Sequence, residues 1–293
     1  MRLRKNSMKK TYLYAGISIL LWSSLATVSK LLLGTMNSYK VLCISAFFAA
    51  VTLLIVNIFT KRLCVLKSYK LKDYITIILI GLPGTFFYYV FLYLGTDRML
   101  ASQAFIINYL WPIMSVIFAC ILLKEKLSAR KIIAIAMSFL GVITVAGGEL
   151  AKFNVQTLLG MLLCIGAAVS YGLFTALNQK WHYDKFVSLM LSFVSAFVLS
   201  LVINIVMGTD MSINLPQGLG LGWNGLSVMA IATVTWALAL DSGKTAKVSN
   251  LAYITPFLSL VWTALFLKES ISPLSVIGLA IIVLGIFVQM KRK

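Results

Sequence analysis

Acidic residues are scarce in this chain: eight Asp and Glu stand among 293 residues. Charged residues of all types make up 12% of it, about half the share usual in a soluble domain. That excludes an ordinary water-facing surface. Histidine occurs once, at His182 in a connecting segment, so metal chemistry and a Ser-His-Asp arrangement both lack parts. The four cysteines, Cys43, Cys64, Cys120 and Cys164, show no CxxC spacing, and no disulfide framework is expected. The sequence therefore reads as a non-enzyme with no catalytic residue, metal or cofactor. A Cys or Ser nucleophile with an unusual base is the enzymatic alternative left open.

What is present is apolar: 60% of the residues are hydrophobic. A helix needs about 20 mostly apolar residues to cross the hydrocarbon of a bilayer. Ten such stretches are expected, at 11–33, 38–60, 72–95, 99–123, 129–147, 156–179, 186–208, 218–240, 244–267 and 273–290. The first follows Arg2, Arg4, Lys5, Lys9 and Lys10 as a signal peptide would. It is too long for one and lacks a small-residue cleavage pattern, so it reads as a membrane helix. The fold class expected is all-α, polytopic and membrane-embedded.

The net charge of +18 resembles a nucleic-acid signal, but its distribution points to a membrane. With the N-terminus inside, 21 of the 26 basic residues fall on the inner side. The other five are Lys30, Lys40, Arg98, Lys152 and Lys268. Such a bias sets topology, with both termini cytoplasmic, and favours contact with anionic lipid. The partners expected are the bilayer and a small-molecule substrate, with no nucleic acid, and a monomer is expected to suffice.

The chain also repeats. Shifted by 144 residues, 97–141 aligns with 241–285 without a gap, with twelve identities in 45 positions. Among them are Asp97/Asp241, Tyr109/Tyr253, Pro112/Pro256, Lys124/Lys268, Glu125/Glu269, Ser128/Ser272 and Gly141/Gly285. This divides the chain into 1–147 and 148–293, five spans each. An odd number makes the second copy enter from the opposite side. Two inverted five-helix repeats around a central cavity are a plan of secondary transporters, with the substrate near the midplane. Duplication in a membrane protein that transports nothing is the bland alternative.

Pro112 follows Asn108, Tyr109 and Trp111, and Pro256 follows Tyr253. A proline inside a helix frees a carbonyl, which in a membrane needs a neighbour or a wet cavity. Gly81, Pro83 and Gly84 form a third flexible point, a possible hinge. Trp22, Tyr88, Tyr171 and Trp236 fall near the middle of their spans, where aromatic faces with polar tips suit a ligand cavity. Packing alone is the bland reading of each. Lys30 either snorkels to the outer interface or faces the cavity and attracts a carboxylate. No acid falls in mid-membrane, which argues against a proton-coupled exporter of cationic drugs. The ridge Gly160, Cys164, Ala168, Gly172 reads as a helix-packing surface. Ser128 and Ser272 read as helix caps.

These features together resemble the drug/metabolite transporter superfamily, in its duplicated ten-helix EamA branch. The run Asn108-Tyr109-Leu110-Trp111-Pro112 is similar to the fourth helix of that branch's aromatic amino acid exporters. Trp22-Ser23-Ser24, ending at Lys30, is similar to their first helix, and Trp236 to a tryptophan of their eighth. The resemblance implies a ten-helix basket that exports aromatic or other hydrophobic amino acids across the cytoplasmic membrane. Trp22, Lys30, Tyr88, Asn108, Tyr109, Trp111, Tyr171, Trp236 and Tyr253 are the expected cavity residues, with Lys30 and Asn108 holding the substrate's polar ends. A transporter of another metabolite class, or a non-transporting protein such as a lipid scramblase, are the alternatives.

Overall fold

The computed structural model describes residues 2–150, 155–240 and 251–290, and side chains within 10–145, 155–239 and 251–288. The described residues contain helices and no strand. In chain order the helices are α1 (Arg2–Ser23), α2 (Leu25–Leu33), α3 (Ser38–Phe59), α4 (Leu71–Leu82), α5 (Tyr88–Asp97), α6 (Ala101–Asn108) and α7 (Trp111–Leu122). Then come α8 (Ala129–Leu150), α9 (Val155–Lys180), α10 (Lys185–Val206), α11 (Leu215–Gly222), α12 (Ala232–Leu240), α13 (Thr255–Phe266) and α14 (Pro273–Met290).

Seven helical stretches among the described residues are long and apolar enough to cross a bilayer: 10–33, 38–59, 71–97, 101–122, 155–180, 185–206 and 215–239. The apolar segments Ala252–Phe266 and Pro273–Val288 are shorter, and α8 has 22 residues. Residues 244–250 of the ninth expected stretch lie outside the described residues. So do Asp241, Lys152 and the C-terminal Lys291, Arg292 and Lys293.

Several stretches are interrupted where the sequence dictates. Ser23 and Ser24 turn their hydroxyls back onto the carbonyls of Leu20 and Leu21, at 2.8 and 2.7 Å, between α1 and α2. Such back-bonding bends helices. A π-helical turn, Pro83–Phe87, joins α4 to α5, and another, Trp223–Ile231, joins α11 to α12. The prolines at 112 and 256 stand at the second positions of α7 and α13, with breaks just before them. Ser272 caps α14, its hydroxyl accepting from the Ser275 N–H at 3.1 Å.

Local backbone recurs at the 144-residue spacing. α7 and α13 begin and end at equivalent residues, as do the starts of α8 and α14. Lys124 and Lys268 both adopt left-handed backbone, with φ of 56° and 55°. Packing recurs too. Gly141 lies against the Gly278 carbonyl, and Gly285 against that of Ala134. These small residues let α8 and α14 approach closely, which matters because lipid tails compete evenly with apolar side chains for contact.

The ridge on α9 works the same way: Gly160 and Cys164 meet Gly95 of α5, and Gly172 meets Met114 and Ser115 of α7. α10 lies along α3, and α1 against α12. Large apolar side chains such as Leu54, Ile58, Val198, Ile205 and Leu265 point outward, where lipid suits them.

Two faces can be told apart from side-chain contacts. Arg62 pairs with Asp184 at 2.7 Å, so the connections after α3 and α9 share a face. The ammonium of Lys40 donates to the carbonyls of Asp210 and Ser212, at 2.7 and 2.6 Å, so the connections before α3 and after α10 share the other. The first, carrying Lys61, Arg62, Lys67, Lys70, Lys180 and Lys185, is called the near face below, and the second the far face.

Candidate functional site: an aromatic cavity open at one face

A cavity of about 380 Å³ lies between the helices. Of the nine residues expected there, Trp22, Tyr88, Asn108, Tyr109, Trp111, Tyr171 and Trp236 line it. The helix breaks place them. The α6–α7 interruption turns Asn108, Tyr109 and Trp111 inward, and the π turn before α5 re-aims Tyr88.

The rings pack in two groups. Tyr88 meets Tyr171 at a centroid distance of 4.8 Å, and Trp111 meets Tyr171 edge-on at 5.1 Å. Trp22 and Trp236 pack at 5.3 Å. Edge and tilted contacts of this kind add to the area buried. Within the wall the amide of Asn108 donates to the Tyr88 hydroxyl at 3.1 Å. Its carbonyl oxygen is buried and has no hydrogen-bond partner among the described residues. A buried acceptor left open is costly and marks a place for a donor.

The cavity extends to the near face, where Trp181, Tyr183 and Lys185 line it. Trp181 and Tyr183 are stacked, 5° from parallel. The Tyr183 hydroxyl donates to Asp73 at 3.2 Å. Desolvation, with Asp73 beside it, holds that phenol above its ordinary range, so it stays a donor. No acidic side chain lines the cavity among the described residues, and Lys185 is its one charged group among them. Toward the far face the cavity is closed, where α2, α6 and α13 pack together. There the Trp262 indole donates to the Ser23 hydroxyl at 2.9 Å.

Two expected residues stand elsewhere. Lys30 does not line the cavity. Its ammonium donates to the carbonyls of Thr96 and Met99, at 2.7 and 2.8 Å, in the last turn of α5 and just beyond it. It is eight residues past Trp22, about 12 Å along the helix, and open carbonyls at a helix end attract a cation. Tyr253 packs on Phe287 at 5.2 Å, outside the cavity wall. Gly81 and Gly84 have a packing reason: a Cβ there would fall on Ser192 and on the Phe174 ring.

Other wall residues went unforeseen: Thr85, Phe105, Phe174, Thr175, Asn178, Thr255 and the mouth residues. Tyr171, Phe174, Thr175 and Asn178 follow helical spacing, a stripe visible in the sequence. Thr255 is the repeat equivalent of Trp111.

Membrane-length helices around a buried aromatic cavity, open at one face and closed at the other, define a polytopic membrane protein of the carrier class. The chain belongs to the EamA-like transporter family, whose sequence model matches residues 9–147 and 158–290. It is 25% identical over 289 residues to an uncharacterized transporter of Clostridium kluyveri, covering 95% of this chain and 92% of that one. It is 27% identical over 256 residues to the uncharacterized transporter YoaV of Bacillus subtilis, covering 83% and 84%. A probable terminal-alkyne amino-acid exporter of Streptantibioticus cattleyicolor is 25% identical over 236 residues, covering 76% and 75%. One solved crystal structure, 20% identical, matches with a TM-score of 0.69 over 96% of each chain, a likeness of fold.

Proposed function

We propose that this protein exports small metabolites, aromatic or other hydrophobic amino acids first among them, across the cytoplasmic membrane by alternating access. The observation that carries the reading is the aromatic cavity with the open Asn108 carbonyl in its wall. Trp22, Tyr88, Tyr109, Trp111, Tyr171 and Trp236 would select a ring by shape. The Asn108 oxygen would accept from the substrate's ammonium, a role that needs no carboxylate. Lys185 at the mouth would draw the substrate carboxylate inward. The exporter of S. cattleyicolor, named for an amino acid, supports this substrate class.

The arrangement we infer is ten spans in two inverted halves, 1–147 and 148–293. The recurring backbone of α7 and α13 and the reciprocal glycine contacts of α8 and α14 support it. Both termini are inferred to be cytoplasmic. The basic residues of the near face support that orientation, and the cavity then faces the cytoplasm. The protein is read as a monomeric carrier and not as an enzyme. Pro112 and Pro256 would preserve the helix breaks that turn side chains inward, with Pro83 doing so in the π turn.

Flux of labelled tryptophan, phenylalanine and threonine into proteoliposomes, with and without a proton gradient, tests the proposal. Saturable aromatic flux supports it. No flux of any of the three would overturn the amino acid reading and move the substrate to another metabolite class.

A further inference from the structure

The closed far face holds a polar contact that none of the cavity residues explains. Both carboxylate oxygens of Glu269 accept backbone N–H groups, from Ala101 at 2.8 Å and Ser102 at 2.9 Å. These are the opening residues of α6, whose first N–H groups have no partner within the helix. The residue in the capping position, Leu100, has no side chain able to accept them. Glu269 thus supplies the cap from the other half of the chain. A carboxylate on two such donors, at the positive end of a helix, is a charge-assisted contact.

Glu125 is its equivalent, 144 residues earlier. The local backbone matches: the Glu125 N–H points to the Ala119 carbonyl at 3.5 Å, and that of Glu269 to Thr263 at 3.4 Å. Yet Glu125 lies on the near face, where the cavity is open. There it pairs with Lys131 at 2.8 Å, its side chain 47% exposed. Glu269 is engaged on a helix start where the protein is closed; residues 245 and 246, the repeat equivalents of Ala101 and Ser102 on the near face, lie outside the described residues.

We propose that Glu269 is the latch of the far-side gate. Its cap on α6 ties that helix to the end of α13 while the cavity faces the near side, and the tie is released when the far side opens. Glu125 stands at the equivalent place on the near face. The inference rests on the alternating-access reading, and its test needs no substrate.

Ser259 of α13 is 4% exposed and stands one turn from the cavity residue Thr255, toward Glu269. Ser259→Cys, with the four native cysteines replaced by alanine, reports opening to the far face. Asn178→Cys, at the cavity wall, reports opening to the near face. Each is labelled with a membrane-impermeant maleimide from either side of oriented vesicles. Glu269→Gln is expected to raise far-face labelling of residue 259 about tenfold, equal to about 1.4 kcal/mol, and to lower near-face labelling of residue 178. Glu125→Gln is expected to raise neither far-face signal. Unchanged labelling in Glu269→Gln overturns the latch. So does labelling that rises on both faces together, since that is a loosened fold. If Glu269→Gln does not accumulate, Glu269→Asp keeps the charge and shortens the reach, and wild-type labelling in it overturns the proposal equally. A latch without amino acid flux would sink the transport reading alone, and flux with unmoved labelling would sink the latch alone.

Discussion

The hydroxyl of Tyr109 donates to the carbonyl of Ala252 at 2.6 Å, joining residues 143 positions apart. That carbonyl is four residues before Pro256, whose ring nitrogen has no hydrogen to offer it. The carbonyl takes the Thr255 N–H of a 3₁₀ turn, the proline leaves its second acceptor position open, and the tyrosine of the other half fills that position. Tyr109→Phe should therefore cost about 1–3 kcal/mol, seen as a lower melting temperature in detergent. Pro256→Ala restores the missing N–H. In that background Tyr109→Phe should cost much less, and a double-mutant cycle measures the difference. Independent, additive losses would show that the tyrosine does not serve the freed carbonyl.

Trp111 meets both Tyr109 and Tyr171, so its removal opens the cavity wall at its centre. Trp111→Ala is expected to lower the uptake of labelled tryptophan about tenfold in well-expressed protein. Asn108→Ala should weaken binding of the same solute, because the open carbonyl is then absent. Unchanged flux in both would remove this wall from the substrate path.

Lys30 makes a different prediction from the cavity residues. Lys30→Met loses charge-assisted bonds to the Thr96 and Met99 carbonyls and should lower stability by about 2 kcal/mol. The KM for substrate should stay as it is. A raised KM with unchanged melting would return Lys30 to the role of carboxylate ligand.

Two glycine substitutions separate packing from specificity. The Cβ of Gly172→Ala would lie 2.7 Å from the Ser115 nitrogen, a backbone atom that has no rotamer to move through. A cost of about 1–3 kcal/mol and a poor folded yield are expected, read by size-exclusion chromatography in detergent. Gly84→Ala meets the Phe174 ring, which lines the cavity and can turn. That variant should fold and shift the preference between tryptophan and the smaller phenylalanine in competition assays. An equal defect in both would mean that the ring at 174 is as fixed as the backbone at 115.

The membrane class, the extents of the seven membrane-length stretches and the breaks at Pro112 and Pro256 were legible in the sequence, because length, hydropathy and proline act locally. Trp22, Tyr171 and Trp236 were found by depth along a span, a measure that ignores which way a side chain points. For Lys30 it failed: the side chain reaches a helix end contributed by residues 96–99, a contact no spacing along the chain encodes. Thr85 and Asn178 were missed for a similar reason. They are small and polar, and serine, threonine and asparagine in membrane helices mostly bond their own turn. Asn224 illustrates the non-local remainder, since it is buried and donates to Tyr93 at 2.7 Å from the other half.

The interleaving of the halves also governs how the protein is made. Asn57 of α3 donates to the carbonyl of Phe186, and Tyr93 of α5 accepts from Asn224. Residues 57 and 93 leave the ribosome long before 186 and 224. The early helices must therefore wait in the bilayer with these bonds between the halves unmade, Asn57 holding only the Leu53 carbonyl of its own helix, and the fold is completed only as the later helices arrive between them. A ribosome stalled midway would release a fragment with no finished core, a substrate for membrane quality control.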